Sequence, residues 1–284
     1  MSIKTKVAII VPKTDFAATT IWKMLGDSSY FRESKNTFDN NMVFEFESAP
    51  NDIKLFHSNR DGVESNHLDD YIDAELYIFA SRHRAASGTP ALLIHPTGNW
   101  SEITLGGKEK QLAHTSGWVL KKGLSFLREK KDKYNLEEFK VDLEVTHHGP
   151  TELQTPLIFM ELGSSEKFWR NEKAASAVGE AIIDTADAFV KESSFKGEYY
   201  IGLGGNHYAY RFHKHINENE NAFMSHMAAK HSLDDLSKEM LLQAFEKTSE
   251  DAKVALIDKK GARSEQRKNA ISLLESIDKE YILV

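Results

Sequence analysis

From Val141 to Ser165 the chain reads Val-Asp-Leu-Glu-Val-Thr-His-His-Gly-Pro-Thr-Glu-Leu-Gln-Thr-Pro-Leu-Ile-Phe-Met-Glu-Leu-Gly-Ser-Ser. Two short apolar runs, Val141 to Thr146 and Leu157 to Leu162, each close on imidazole or carboxylate followed by glycine. That pattern predicts two buried strands with reactive side chains where they stop. In open α/β sheets ligands sit outside the carboxyl ends of the strands, so His147, His148 and Glu161 fall where a site is expected.

Two other runs carry the same signature. Ala91 to Ile94 leads into His95-Pro96-Thr97-Gly98-Asn99, and Tyr199 to Leu203 leads into Gly204-Gly205-Asn206-His207-Tyr208. Side by side in one parallel sheet, the four runs would bring His95, His147 or His148, Glu161 and His207 to one rim. Such a group suits catalysis, metal binding or both.

Working outward, Lys6 to Val11 reads as a buried first strand, and Thr14 or Asp15 as the cap of a helix reaching about Leu25. Met42 to Glu47 and Ile53 to His57 read as paired strands. Glu75 to Ala80 is a further strand, ending in Ser81-Arg82-His83-Arg84. Apolar spacing predicts helices over Thr115 to Lys131, Glu172 to Val190, Leu233 to Lys247 and Glu265 to Ile277, the last two separated by a strand at Val254 to Ile257. This alternation gives an α/β fold with a mostly parallel or mixed sheet flanked by helices. With no internal repeat and no low-complexity linker, one domain over residues 1–284 is expected.

Composition narrows the chemistry. The 284 residues include no cysteine, so disulfides, thiolate ligands and a cysteine nucleophile are excluded, and no Gly-x-Ser-x-Gly elbow is present. The opening residues run straight into a strand, and nowhere do eighteen apolar residues follow one another, so a cytoplasmic protein without a membrane partner is expected. A net charge of −7 argues against indiscriminate nucleic-acid binding. The basic residues between Lys108 and Lys133, Lys121 and Lys122 among them, would either meet phosphates or form a solvated helix face. Arg82 and Arg84 flank His83 ahead of the small residues Ser87-Gly88-Thr89-Pro90, a loop able to grip a phosphate or carboxylate. Gly202-Leu-Gly204-Gly205 lacks the third glycine of a dinucleotide site; its amides, with Asn206, are candidate donors to an oxyanion.

At these motifs the chain resembles the archaeal and plant type of D-aminoacyl-tRNA deacylase. The resemblance is carried by Val145-Thr-His-His-Gly-Pro-Thr151, Phe159-Met-Glu-Leu-Gly-Ser-Ser165 with Trp169, and Gly202-Leu-Gly-Gly-Asn-His-Tyr-Ala209. Ser81-Arg-His-Arg84 and Pro90 to Gly98 add to it, and the motifs span most of the chain. It departs at Tyr210, where proline is expected. The resemblance implies a cytoplasmic, zinc-dependent hydrolase acting on D-aminoacyl-tRNA, with a core similar to peptidyl-tRNA hydrolase and phosphorylase-like folds.

The residue pattern itself supplies the candidates. His147, His148, Glu161 and His207 are expected to be catalytic, and His95, His147, His148 and Glu161 to ligate zinc. Arg82, His83, Arg84, Thr97, Lys121, Lys122, Ser164, Gly205, Asn206 and Tyr208 are expected to bind substrate, and nothing indicates an obligate protein partner. Two other readings fit the same residues: a phosphorylase- or metallopeptidase-like hydrolase of a small molecule, or a non-catalytic RNA-binding module resting on the Lys108 to Lys133 run.

Overall fold

Val7 to Pro12, six residues buried without interruption, form a strand in the middle of a large mixed sheet. The computed structural model describes residues 2–26, 29–49, 51–192 and 195–284. In chain order the elements are β1 (Ile3–Lys4), β2 (Val7–Pro12), α1 (Phe16–Gly26), β3 (Phe31–Phe38), β4 (Asn41–Phe46), β5 (Ile53–Ser58), β6 (Ile72–Asp73), β7 (Leu76–Arg84), β8 (Ala91–His95), β9 (Gly98–Asn99) and β10 (Gln111–Leu112). Then follow α2 (Gly117–Lys133), β11 (Lys140–Leu143), β12 (Leu157–Ser164), α3 (Glu166–Trp169), α4 (Glu172–Lys191), β13 (Glu198–Leu203), α5 (Tyr210–Glu218), β14 (Ala222–Ala228), α6 (Lys238–Glu246), β15 (Val254–Ile257), α7 (Ser264–Glu275) and β16 (Glu280–Leu283). The expected helix from Leu233 to Lys247 is split: a 3₁₀ turn at Lys230–Asp234 precedes α6, which begins where the Ser237 hydroxyl accepts from the Met240 amide.

Eight strands form the main sheet in the order β11-β8-β12-β7-β2-β5-β4-β3, and β14-β13-β15-β16 form a second, all-parallel sheet. The larger apolar cluster takes Ile9 and Ile78 from the first sheet and Ile201 and Leu256 from the second. Helix α2 bridges them, packing on both β8 and β14. It lies close because Gly123 has no side chain; a Cβ there would sit 2.5 Å from the Ile94 Cδ1.

The mixed α/β architecture agrees with expectation, but the predicted rim does not form from four parallel neighbours. β13 belongs to the second sheet, and β8 runs antiparallel to β12 although β7 runs parallel to it. The predicted run Val141 to Thr146 leaves the sheet after Leu143. A strand buried on both faces is a continuous apolar run, and such a run carries no mark of its direction.

Asp15 ties α1 to the strand that bears the site. Its Oδ1 accepts from the amides of Ala17 (2.8 Å) and Ala18 (3.0 Å), and its Oδ2 from the amide of Arg82 (2.9 Å), next to His83. Burial raises the Asp15 pKa, and these donors pull it part of the way back. Asp15→Ala would strand three donors, two at a helix start, so a loss of about 1–3 kcal/mol is expected. A thermal melt should register a fall of several degrees.

Candidate active site

Alternation along three neighbouring strands assembles the centre of the site. Glu161 of β12 lies opposite Ser81 of β7 and Leu93 of β8, with Gly163 opposite His83 and Phe159 opposite His95. Paired residues share a face, and so do residues two apart along a strand. Glu161 is therefore a mid-strand residue flanked by His83 on one side and His95 on the other. Gly163 makes the approach possible, because a Cβ there would come within 2.6 Å of the His83 Cβ.

The chain after β11 supplies the other two imidazoles. Thr97 bridges to His147 in parallel register, the Gly98 amide donates to the His148 carbonyl (2.8 Å), and the Thr97 hydroxyl donates to the Pro150 carbonyl (2.7 Å). His148 has φ of +45°, a left-handed conformation that breaks strand alternation. Both rings thus reach the same place: His147 and His148 lie 4.5 Å apart, and His95 is 4.1 Å from His147 and 4.8 Å from His148.

Each of these three histidines has Nδ1 against a backbone carbonyl: Pro96 for His95 (3.1 Å), Val145 for His147 (2.8 Å) and Gly149 for His148 (2.6 Å). A carbonyl only accepts, so Nδ1 carries the proton and Nε2 is left with a bare lone pair. One ligand atom from each ring lies within 4.8 Å of the others. Burial lowers His147 well below its ordinary pKa and His148 to about 4, and the crowding imidazoles push the same way. Both are neutral, the form that ligates a metal.

Two carboxylates complete the group. Glu161 places Oε2 3.3 Å from His83 Nδ1 and Oε1 3.5 Å from His95 Nε2; the second contact is out of line for a hydrogen bond. Burial opposes charge on His83 and His95, but Glu161 and Glu144 outweigh it and raise both. Burial would also raise Glu161, yet contacts to His83 and His95 hold it well below the usual carboxylate range. Glu144, which sequence reasoning missed, is fully buried, with Oε1 2.7 Å from His207 Nε2 and 3.5 Å from His83 Nδ1. Neither of its oxygens has an aligned hydrogen bond, nor has His95 Nε2. Orphaned buried atoms of this kind, clustered on imidazole and carboxylate, suit a cation. His207 remains 44% exposed at the edge of the group, and the Tyr208 hydroxyl is 3.4 Å from His83 Nε2.

The remaining candidates divide. Arg82 reaches Asp15 and Asp61 (3.5 and 3.3 Å), while Arg84 is exposed and lies over the Trp169 ring. The buried Ser164 hydroxyl donates to the Thr89 carbonyl. Of the proposed oxyanion donors, the amides of Gly204 and Gly205 are spent on the carbonyls of Ala228 and Gly261, whereas Asn206 is exposed. Lys121 turns its ammonium onto the carbonyls of Asn219, Glu220 and Ala222, between α5 and β14, and Lys122 lies over the Trp118 ring. The signal that could have exposed Glu144 is an acid inside an otherwise apolar run, Leu143-Glu-Val145; such a side chain has to face a partner.

Residues 70–282 match the family model described as D-aminoacyl-tRNA deacylase. The chain is 35% identical to the D-aminoacyl-tRNA deacylase of Thermococcus onnurineus and 34% identical to that of Pyrococcus furiosus, in each case covering 96% of this chain and 98% of the relative. A crystal structure described as a conserved protein of unknown function superposes with a TM-score of 0.84 at 27% identity, covering 100% of this chain and 96% of the other.

Proposed function

Because this chain belongs to the D-aminoacyl-tRNA deacylase family, a hydrolase of the ester that joins an amino acid to tRNA, we propose that the histidine and carboxylate group on β7, β8 and β12 performs that hydrolysis on D-aminoacyl-tRNA, with zinc held by His95, His147 and His148. One observation carries the assignment: three Nδ1 atoms are fixed on carbonyls while three ligand atoms converge within 4.8 Å. With no thiolate in the chain, imidazole and carboxylate are the donor set that remains.

When bound there, zinc would polarise the ester carbonyl and lower the pKa of water. The protein's own groups do the rest. Glu161 orients His83 through Nδ1 and would offer a carboxylate beside His95 to the ion. Glu144 places an anion 2.7 Å from His207 Nε2. His207, partly open to solvent, is placed to pass a proton to the departing ribose oxygen. Of the expected substrate contacts, Arg84, Asn206 and Tyr208 remain open to an incoming substrate, whereas the buried Thr97 and Ser164 hydroxyls and the Arg82 guanidinium are spent within the protein. Since tRNA contacts are common to both enantiomers, selection of the D form falls to the walls around the ester. No helix among the described residues is long and apolar enough to cross a membrane, and charged tRNA as the proposed substrate supports a cytoplasmic site of action.

The test compares D- and L-tyrosyl-tRNA with and without chelator. The D ester should be hydrolysed and the L ester spared, and metal removal should cost at least about a hundredfold in rate, restored by zinc. The sign of the pH effect follows from the ligands: imidazole binds a metal only in its neutral form, so zinc uptake should weaken as pH falls. Enzyme shown by elemental analysis to be metal-free, yet fully active, would leave His147 and His207 acting as bases without an ion.

A further inference from the structure

Beside the catalytic group is a cavity of about 370 Å³ that no step above uses. Ala91, Leu93, Tyr208 and Tyr210 line it, with Lys140 and Asp142 among its polar lining residues. Ala91 and Leu93 share the face of β8 that carries His95, one and two alternations away. At about 7 Å per alternation, the cavity starts roughly the breadth of a ribose from the ester position. Ala91 and Leu93 are buried and belong to neither apolar core cluster, so they give the cavity an apolar base apart from the main core. Tyr210 is 67% exposed, a large ring standing free at the mouth. Asp142 uses Oδ1 for the Leu143 amide and the His213 ring, and no described residue takes its Oδ2.

Resting on the deacylase reading, we propose that this cavity seats the terminal adenine base of the tRNA, between the rings of Tyr208 and Tyr210, with Asp142 Oδ2 accepting from the exocyclic amino group. An aromatic slot with a few polar groups suits the part of the substrate that never changes, and base stacking on aromatic rings is its ordinary recognition. The amino-acid side chain varies from one substrate to the next and needs no such edge. The Tyr208 hydroxyl, at 3.4 Å from His83, joins the slot to the catalytic group. On the other side of the same segment, Arg211, Lys230 and Lys260 line a hollow of about 260 Å³ and have no ion-pair partner among the described residues. The phosphates preceding the terminal nucleoside would lie there.

Two measurements on the full chain test this. In the first, Tyr210→Ala and Tyr210→Phe are compared with wild type on D-tyrosyl- and D-alanyl-tRNA. Tyr210→Ala should raise KM about tenfold for both by the same factor, from loss of one stacking face, and Tyr210→Phe should restore it. In the second, adenosine and cytidine are titrated calorimetrically against the free protein; adenosine should bind at least about tenfold better, and Tyr210→Ala should remove the difference. A KM effect confined to D-tyrosyl-tRNA would make the cavity a side-chain pocket and overturn the proposal, as would unchanged KM or equal nucleoside binding. If wild type hydrolysed neither ester, the deacylase reading would fail, while the nucleoside titration would still decide the cavity.

Discussion

Changing His147 and His148 together to alanine is expected to lower kcat/KM for D-tyrosyl-tRNA by about a thousandfold or more while leaving the fold intact. On the zinc reading, two of three converging ligands would be lost and one remaining imidazole would be too few to hold the ion, so the several kcal/mol it would contribute would go as a unit. The fold should survive at a moderate cost in stability. Both residues follow the end of β11 rather than lying in a ladder. The carbonyls of Val145 and Gly149 lose their Nδ1 donors, at about 1 kcal/mol or more each, and alanine adopts the φ of +45° at His148 less readily, at about 1 kcal/mol. Single-turnover hydrolysis, zinc content and a thermal melt check the three expectations together. A folded double variant that turned over at the wild-type rate would move the reaction centre off these histidines.

The ease with which those histidines could be found in the sequence, and the difficulty of placing them, have different physical origins. A polar side chain at the end of an apolar run is conspicuous, because the run predicts burial and burial demands a partner. His95, His147, His148 and Glu161 all stand out in this way, and the structure brings them together. Their arrangement was not legible. Glu161 meets His95 because β8 is antiparallel to β12, and His83 because β7 is parallel to it. Strand direction depends on how the connections return, which no single run encodes. His207 comes from beyond the second sheet, and its carbonyl accepts the Val145 amide (3.0 Å). Only long-range packing could make that contact.

Charge is harder to read than shape. The basic residues of α2 admit two readings in sequence, phosphate contact or a solvated helix face, and in the fold Lys121 ends on three carbonyls and Lys130 on Glu129 and Asp184. Sequence gives the number of cations, whereas the fold decides which of them already have an acceptor. Glu144 is the converse case: an acid between Leu143 and Val145 has to face a partner, but the run does not say which one. Its importance lies in what surrounds it: burial, two imidazoles and no aligned donor.

Glu144→Gln is therefore expected to separate activity from stability. The carboxylate is buried with both oxygens unsatisfied, a state that costs free energy unless protonated imidazole or a cation faces it. The amide is almost the same shape and removes the charge, so the melting temperature should hold or rise by a few degrees. Activity should move the other way. His207 loses the anion that stabilises its protonated form at 2.7 Å, and His83 loses one of the two carboxylates that raise it. Proton transfer to the leaving oxygen is worth about 10²–10⁴-fold, so kcat should fall within that range. KM should change little, because the terminal nucleotide's contacts are untouched. An activity loss accompanied by a matching fall in melting temperature would make Glu144 a structural residue. A stable variant with full activity would show that His207 works without its anion, or does not work as the proton donor.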